Sequence, residues 1–304
     1  MKLPQGLITS VERFALHDGP GIRTLVFAKG CPMRCLWCSS PQTQRRTPEI
    51  LYRDARCDRC RDCLGACPAE AMSCSEAEGV RIDREACTGC GECVEACPKE
   101  ALELVGRQVS SEELVGEVLR DGPFYRRSGG GITLGGGEPT LQHEFVLEFL
   151  ERCKRQNLHT VMETCAFVSW RRLEELLAYL DLVYLDIKHM DSAVHETLTG
   201  VPNRSILENA EQVSMLRPLI VRIPVVPGHN DSDDNILLTA EFARSLGGNL
   251  NRIELLPYHG LGVQTYAELG REYELPDVRP PDDRRMERLK GIVESLGVSA
   301  QIGG

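Results

Sequence analysis

Fourteen of the 304 residues are cysteine, and eleven of those fall into three tight runs. The first run, KGCPMRCLWCSS at residues 29–40, sets Cys31, Cys35 and Cys38 in a C-x3-C-x2-C spacing and supplies no fourth cysteine nearby. Thiolates this close together hold metal. A tetrahedral or cubane site normally takes four protein ligands, so three thiols on one loop are either a pair plus an idle cysteine or a site left open. In a cubane the second alternative leaves one iron free to bind a substrate or cofactor through N and O donors.

The other two runs are copies of one pattern. CDRCRDCLGACP carries Cys57, Cys60, Cys63 and Cys67, and CTGCGECVEACP carries Cys87, Cys90, Cys93 and Cys97, thirty residues further on. Each reads C-x2-C-x2-C-x3-C-P, the spacing of bacterial two-cluster ferredoxins, in which the fourth cysteine of each run ligates the other cluster. The expected sets are therefore Cys57, Cys60, Cys63 and Cys97 for one 4Fe–4S cubane, and Cys87, Cys90, Cys93 and Cys67 for the other. Zinc knuckles or a disulfide-stapled module would need neither four cysteines per run nor the crossed ligand. The stretch 69–86 between the runs fits a short helix, a turn and a strand, as does 99–108 after the second. Cys74 lies off the pattern and reads as a packed residue, as do Cys153 and Cys165. So thin an apolar core would depend on its clusters, and their loss should unfold the module.

These cysteines need a frame to hold them. Strand-like stretches at 24–30, 131–137, 159–164, 182–189, 219–226, 252–258 and 298–304 alternate with helical ones at 111–122, 144–156, 169–180, 205–216, 234–246 and 283–297. Repeated βα units imply a mainly parallel sheet, a partial or complete TIM-like (β/α) barrel whose chemistry sits at the C-terminal strand ends. Cys31, Glu138, Glu163, Thr164, Asp186, Lys188 and His259 all fall at such ends, and Arg222 lies within a strand. The chain divides into residues 1–48, the first part of the barrel with the three-cysteine loop; 49–106, a ferredoxin-like insert; and 107–304, the rest of the barrel. The net charge of −10 argues against nucleic acid as a partner, and no apolar run suits a membrane span. The opening residues lack an apolar signal region, and thiols spaced as ligands suit a reducing compartment, so a cytoplasmic location is expected.

Eight stretches, in order, resemble the radical S-adenosylmethionine superfamily and, more narrowly, the glycyl radical enzyme activating enzymes. They are HDGPGIRTLVF (17–27), CPMRCLWCSSPQ (31–42), GGGEPTLQ (135–142), METCAF (162–167), LDIKHMD (185–191), VRIPVVPGHND (221–231), PYHGLG (257–262) and VSAQIGG (298–304). The resemblance implies a third, catalytic cubane on Cys31, Cys35 and Cys38, its fourth iron chelated by S-adenosylmethionine. Trp37, Gly136, Gly137, Glu138, Glu163, Thr164, Asp186, Lys188, Arg222 and His259 would then surround that cofactor. Gly136 and Gly137 would let the backbone approach its methionine end, Asp186 and Lys188 would bind ribose and carboxylate, and His259 would meet the adenosine. Plainer alternatives stand beside three of these: a surface ion pair for Asp186 and Lys188, a barrel salt bridge for Arg222, and a hydrogen-bonded loop histidine for His259.

The implied activity is hydrogen abstraction from a glycine Cα of a partner glycyl radical enzyme, with reduced flavodoxin or ferredoxin as electron donor. The insert points to partners of the decarboxylase, lyase or dehydratase type. A radical enzyme acting on a small molecule and an iron–sulfur electron carrier are the competing readings. Departures from the family pattern are Gln42 in place of an acid, Gly135 in place of serine and Ala166 in place of glycine.

Overall fold

The computed structural model describes residues 4–75 and 79–303. In chain order its strands are β1 (Gln5–Ala15), β2 (Arg23–Ala28), β3 (Glu49–Tyr52), β4 (Met72–Ser75), β5 (Gly79–Ile82), β6 (Leu102–Val105), β7 (Arg107–Ser110), β8 (Gly131–Gly136), β9 (His159–Thr164), β10 (Leu182–Asp186), β11 (Leu219–Val225), β12 (Leu250–Pro257) and β13 (Ala300–Ile302). The main sheet has the order β13-β12-β11-β10-β9-β8-β2-β1-β7. From β2 to β13 the pairings are parallel, while β1 and β7 add an antiparallel edge. Among the described residues β13 pairs only with β12 and β7 only with β1, so the barrel is partial.

The helices are α1 (Asp62–Gly65), α2 (Glu92–Glu95), α3 (Ser111–Leu119), α4 (Gly122–Ser128), α5 (His143–Arg155), α6 (Trp170–Leu177), α7 (Ser192–Thr199), α8 (Arg204–Leu216), α9 (Asp233–Ser245), α10 (Val263–Glu268) and α11 (Asp283–Ser295). Their apolar stripes cover one face of the sheet. α5 buries Phe145, Val146, Phe149, Leu150 and Cys153, a helical spacing, and these join Met162, Val183, Leu185 and Ile223 in one core. At the start of α3, Ser110 Oγ accepts from Glu113 N at 3.2 Å and Glu113 Oε2 accepts from Ser110 N at 2.8 Å. That capping box turns the chain out of β7 into the first helix of the frame.

The other face of the sheet carries a small apolar cluster, Val161, Leu182, Tyr184 and Ile220, and turns polar towards the C-terminal strand ends, since alternate side chains along each strand share this face. Glu163 on β9, Tyr184 and Asp186 on β10, Arg222 on β11 and Glu254 on β12 stand in adjoining register positions. All six expected helices and all seven expected strands of the frame are present, with short differences at their ends. Gly304, which closes the last motif, and residues 1–3 of the opening stretch lie outside the described residues. The long strand β1 and the short α4, α7 and α10 carried too weak a periodicity to be read.

The insert differs from its sequence expectation. A hairpin of β4 and β5 occupies 72–82 where a helix followed by a strand was read, and the connecting residues 76–78 lie outside the described residues. The segment 99–108 likewise contains β6 and the start of β7. Side chains of β4 alternate between half-buried and exposed, a strand period, and pairing with β5 decides the conformation of this short Met-Ser-Cys-Ser segment. The neck is an antiparallel pair, Glu49 opposite Val105 through Tyr52 opposite Leu102.

Both copies of the cysteine run fold alike. Positive φ recurs at an offset of thirty residues: Arg59 (62°) with Gly89 (68°), Arg61 (71°) with Gly91 (91°), and Glu70 (50°) with Glu100 (51°). The second copy uses glycine where the first forces arginine into the left-handed region, which disfavours L-residues by roughly 1–2 kcal/mol. Arg61→Gly is therefore expected to stabilise the cluster-loaded insert by up to about 1 kcal/mol after the unfolded-state entropy of glycine is counted. Anaerobic thermal bleaching of the cluster absorbance reads this, and a lower midpoint would count against the strain.

Candidate active site and cluster cavities

The three-cysteine loop has no regular structure and is held through its backbone. Gly30 N donates to Thr43 O at 2.6 Å and Cys31 N to Gln44 O at 3.0 Å. On the far side Arg34 N donates to Thr199 O at 2.7 Å and Leu36 N to Leu198 O at 3.1 Å, so carbonyls at the end of α7, which lack intrahelical partners, are taken up by the loop. From β8, Gly137 N bonds Ala28 O at 2.9 Å and Glu138 N bonds Gly30 O at 2.7 Å.

This packing explains the glycine pair. A Cβ on Gly137 would lie 2.3 Å from Gly30 O and 3.0 Å from Thr43 O, and one on Gly136 would lie 2.7 Å from Phe27 Cα at a φ of +94°. Both are close-approach glycines whose missing Cβ faces the protein's own backbone. Gly135, where the family pattern has serine, makes room instead for Glu163, whose Oε2 would stand 2.8 Å from an added Cβ.

Above these turns a cavity of about 290 Å³ opens at the C-terminal ends of β8 to β12. Of the residues singled out around the cofactor, Cys31, Cys35, Cys38, Trp37, Gly136, Gly137, Glu163, Thr164, Asp186, Lys188, Arg222 and His259 line it. Glu138 does not. It is fully buried beneath, where its carboxylate accepts from Thr140 N at 3.1 Å, Thr140 Oγ1 at 2.7 Å, Thr164 Oγ1 at 2.8 Å and Cys165 N at 2.8 Å. Its role is to tie the turn after β8 to the end of β9, and nothing in its sequence context distinguishes that from a cofactor contact.

Charge in the cavity is paired. Lys188 Nζ lies 2.8 Å from Asp186 Oδ2 at the end of β10. Although burial works against it, Asp186 and the Cys35 sulfur raise the Lys188 ammonium above its ordinary range. Arg222 contacts Glu163 Oε1 at 2.5 Å, Glu254 Oε2 at 2.8 Å and His17 O at 2.9 Å, with its guanidinium 3.8 Å from the Tyr184 ring centre. Burial, opposed by Arg222, pushes the Glu163 carboxyl up to about 7. Arg222 is thus both a cavity wall and the barrel salt bridge.

Missed by the sequence reading are Met33, Tyr258 and Cys165, which also line the cavity. The Cys165 backbone N–H donates to Glu138 Oε2 at 2.8 Å, and burial pushes its thiol well above the ordinary range. Asn230, from the PGHND stretch, carries the turns behind Lys188: its amide donates to Lys188 O at 2.9 Å and its Oδ1 accepts from Val226 N at 2.8 Å.

All fourteen cysteines are free thiols. In the insert one cavity is lined by Cys57, Cys60, Cys63 and Cys97, and a second by Cys67, Cys87, Cys90 and Cys93. Each takes three thiols from one run and the fourth from the other. Cys67 and Cys97 each accept a backbone N–H, from Ala71 and Ala101, both at 3.3 Å. Among the described residues no three His, Cys, Asp or Glu side chains converge on the point a single metal ion would need. Cubane thiolates each bind a different iron and need not so converge. Burial pushes the Cys31 and Cys35 thiols up to about 12. Such thiols ionise on binding metal, so the donor set suits a cluster better than a free nucleophile.

Residues 84–240 match the radical SAM superfamily model, 56–101 a 4Fe-4S dicluster domain and 17–72 a 4Fe-4S single cluster domain. The isethionate sulfite-lyase activating enzyme of Nitratidesulfovibrio vulgaris is 41% identical over 95% of both chains. The choline trimethylamine-lyase activating enzyme of Oleidesulfovibrio alaskensis is 39% identical, again over 95% of each. A solved domain of pyruvate-formate lyase-activating enzyme from Bacteroides vulgatus superposes with a TM-score of 0.50 at 34% identity, covering 58% of this chain and 100% of that one. The chain belongs to the radical S-adenosylmethionine superfamily and, within it, to the glycyl radical enzyme activating enzymes. It is an iron–sulfur enzyme that uses S-adenosylmethionine and acts on a glycyl radical enzyme. No helix among the described residues is long and apolar enough to cross a membrane.

The Gly137 contact yields a direct test. Gly137→Ala is expected to push the cysteine loop off β8, with reconstituted iron falling by about four per chain, the content of one cubane. Iron analysis after anaerobic reconstitution reads it, and full loading with unchanged stability would show that the loop tolerates the displacement.

Proposed function

We propose that Cys31, Cys35 and Cys38 hold a catalytic 4Fe–4S cubane open at one iron, and that the two insert cavities hold two more, three in all. The observation that carries this is the convergence of those three thiols, spaced C-x3-C-x2-C on one loop, with the Asp186–Lys188 pair on one cavity; the fourth thiol there, Cys165, stands alone just past the end of β9. When bound, the open cubane and S-adenosylmethionine supply reductive cleavage to methionine and a 5′-deoxyadenosyl radical, which takes a glycine Cα hydrogen from the partner.

This chain's residues bind and orient. Asp186 and Lys188 present a carboxylate and an ammonium to the ribose hydroxyls and the carboxylate of S-adenosylmethionine. Gly136 and Gly137 leave the cavity wall as bare backbone for its methionine end. Glu163 and Thr164 add polar contacts, with Arg222 fixing the Glu163 carboxylate, and His259 stands at the rim for the adenine. Trp37, packed with Leu198, Val226, Tyr258 and Leu275, keeps water from the loop side.

Residues 49–106 act as a separate ferredoxin-like module between the barrel segments 1–48 and 107–304. It relays electrons from a reduced flavodoxin or ferredoxin of the cytoplasm, where thiol ligands stay reduced. The partner is a lyase, decarboxylase or dehydratase carrying the glycine. Relatives named for two different lyases stand at 41% and 39% identity, so similarity alone favours neither.

Changing Cys31, Cys35 and Cys38 together to alanine is expected to remove about four of about twelve irons and all S-adenosylmethionine cleavage. Surviving cleavage would refute the open-cubane assignment. Changing Cys57 or Cys87 should leave cleavage with an artificial reductant, since the relay is then bypassed.

The hydrogen donor is tested with a candidate lyase grown on α-deuterated glycine. Deuterium is expected in 5′-deoxyadenosine, and undeuterated lyase should show a doublet-split organic radical by electron paramagnetic resonance. Unlabelled 5′-deoxyadenosine from every candidate lyase, with no radical on any of them, would shift the assignment to a small-molecule substrate.

A further inference from the structure

A buried charge cluster joins the cysteine loop to the insert, and the chemistry above makes no use of it. Lys29, fully buried at the end of β2, places Nζ 3.0 Å from Glu49 Oε2 and also donates to Gln42 O. The other oxygen of Glu49 meets Arg271, with Arg45 Nε at 3.5 Å. Three cations thus surround one buried carboxylate, which leaves an excess of positive charge. Glu49 is also the first residue of β3, so the cluster sits where the insert departs from the frame.

From there the contacts run to the cysteines. Arg271 Nη1 donates to Pro41 O at 3.0 Å and to Gln44 Oε1 at 3.3 Å. Gln44 accepts from Cys31 N through its backbone at 3.0 Å, so this one residue joins the Arg271 guanidinium to the first cysteine of the loop. A cationic group held close to an iron–sulfur cluster stabilises its more negative, reduced state.

We propose that Arg271 is a positioning residue, oriented by Gln44, that raises the reduction potential of the cubane held by Cys31, Cys35 and Cys38, easing transfer of one electron to it from the insert. The proposal rests on the three-cubane reading above. Neither residue touches the substrate. The electron originates in the reduced donor protein, and no bond in the protein is made or broken.

The test is a redox titration of the anaerobically reconstituted full chain, followed by electron paramagnetic resonance of the reduced clusters. The catalytic cubane is identified as the signal that changes when S-adenosylmethionine is added. At a fixed ambient potential Arg271→Gln is expected to lower the ratio of reduced to oxidised catalytic cubane about tenfold, which is about 59 mV for a one-electron couple. Arg271→Lys, which keeps the charge, should stay within about threefold of the parent, and Gln44→Leu, which removes an acceptor that orients the guanidinium, should fall by about threefold. The two insert cubanes serve as internal controls and should not move. A catalytic ratio unchanged in both Arg271→Gln and Gln44→Leu overturns the proposal, as does an equal shift of all three cubanes. If Arg271→Gln fails to load iron, the Gln44→Leu and Arg271→Lys values decide. Absence of any S-adenosylmethionine-sensitive signal in the parent protein would instead sink the three-cubane reading itself.

Discussion

If three thiols are to share one cluster, as proposed for Cys31, Cys35 and Cys38, they must be held closely in place, yet the segment bearing them has no helix or strand to stiffen it. The protein meets this constraint by bonding the loop backbone on three sides: to residues 43–44, to the end of α7 and to the turn after β8. The last contact is the tightest, since the Gly137 backbone lies where any side chain would meet Gly30 O. Glu138 then anchors that turn to β9 through Thr164 and Cys165. A buried carboxylate with this many donors is stable only while all of them remain, so the floor of the site is a cooperative unit.

The polar inner face follows from the same economy of partners. Arg222 is the shared cation of Glu163 and Glu254 and also bonds a carbonyl of the loop after β1. Arg23, at the start of β2, is wholly buried and spends its guanidinium on Thr133 Oγ1 at 2.6 Å, Pro20 O at 3.0 Å and the carbonyl of Ile132. Together they fasten the DGPG loop across the concave side of the sheet. Removing either guanidinium would leave buried acceptors unpaired, which is far more destabilising than its net contribution suggests.

What could be read from the sequence was what depends on spacing. Cysteine intervals, strand and helix periods and the polar residues at strand ends all survive translation into three dimensions, because each is a local rule. What could not be read was what depends on which way a side chain or a missing one faces. Glu138 and Glu163 look alike in sequence; one is buried under the floor and the other lines the cavity, according to the strand turn each occupies. The glycine pair was identified, but its demand comes from Gly30 and Phe27, more than a hundred residues earlier. The β4–β5 pair is not legible because Ala69, Glu70 and Ala71 just before it favour helix locally and Met-Ser-Cys-Ser is too short to show a strand period.

If the insert delivers electrons, as proposed, it must stand at a fixed distance from the buried site, and the neck is built for that. Glu49 follows Cys38 by only eleven residues, so β3 begins within the packing of the catalytic loop. The return strand β6 pairs with it along its whole length, and β7 then passes directly into the main sheet beside β1. Where the two strands leave the frame, Gly106 lies against Lys29 and Pro48, with positions for a Cβ only 2.9 Å from Lys29 Cδ and 3.1 Å from Pro48 Cα. Pro48 in turn packs on Gly89, inside the second cysteine run, and Arg84 reaches from that run to the carbonyl of Ile50. The cavity of Cys67, Cys87, Cys90 and Cys93 is thereby fixed to the same few residues that carry the catalytic cysteines, while that of Cys57, Cys60, Cys63 and Cys97 lies further along β3, beside Tyr52. A rigid order of cavities along one strand is what a relay needs and what a flexible linker would forfeit.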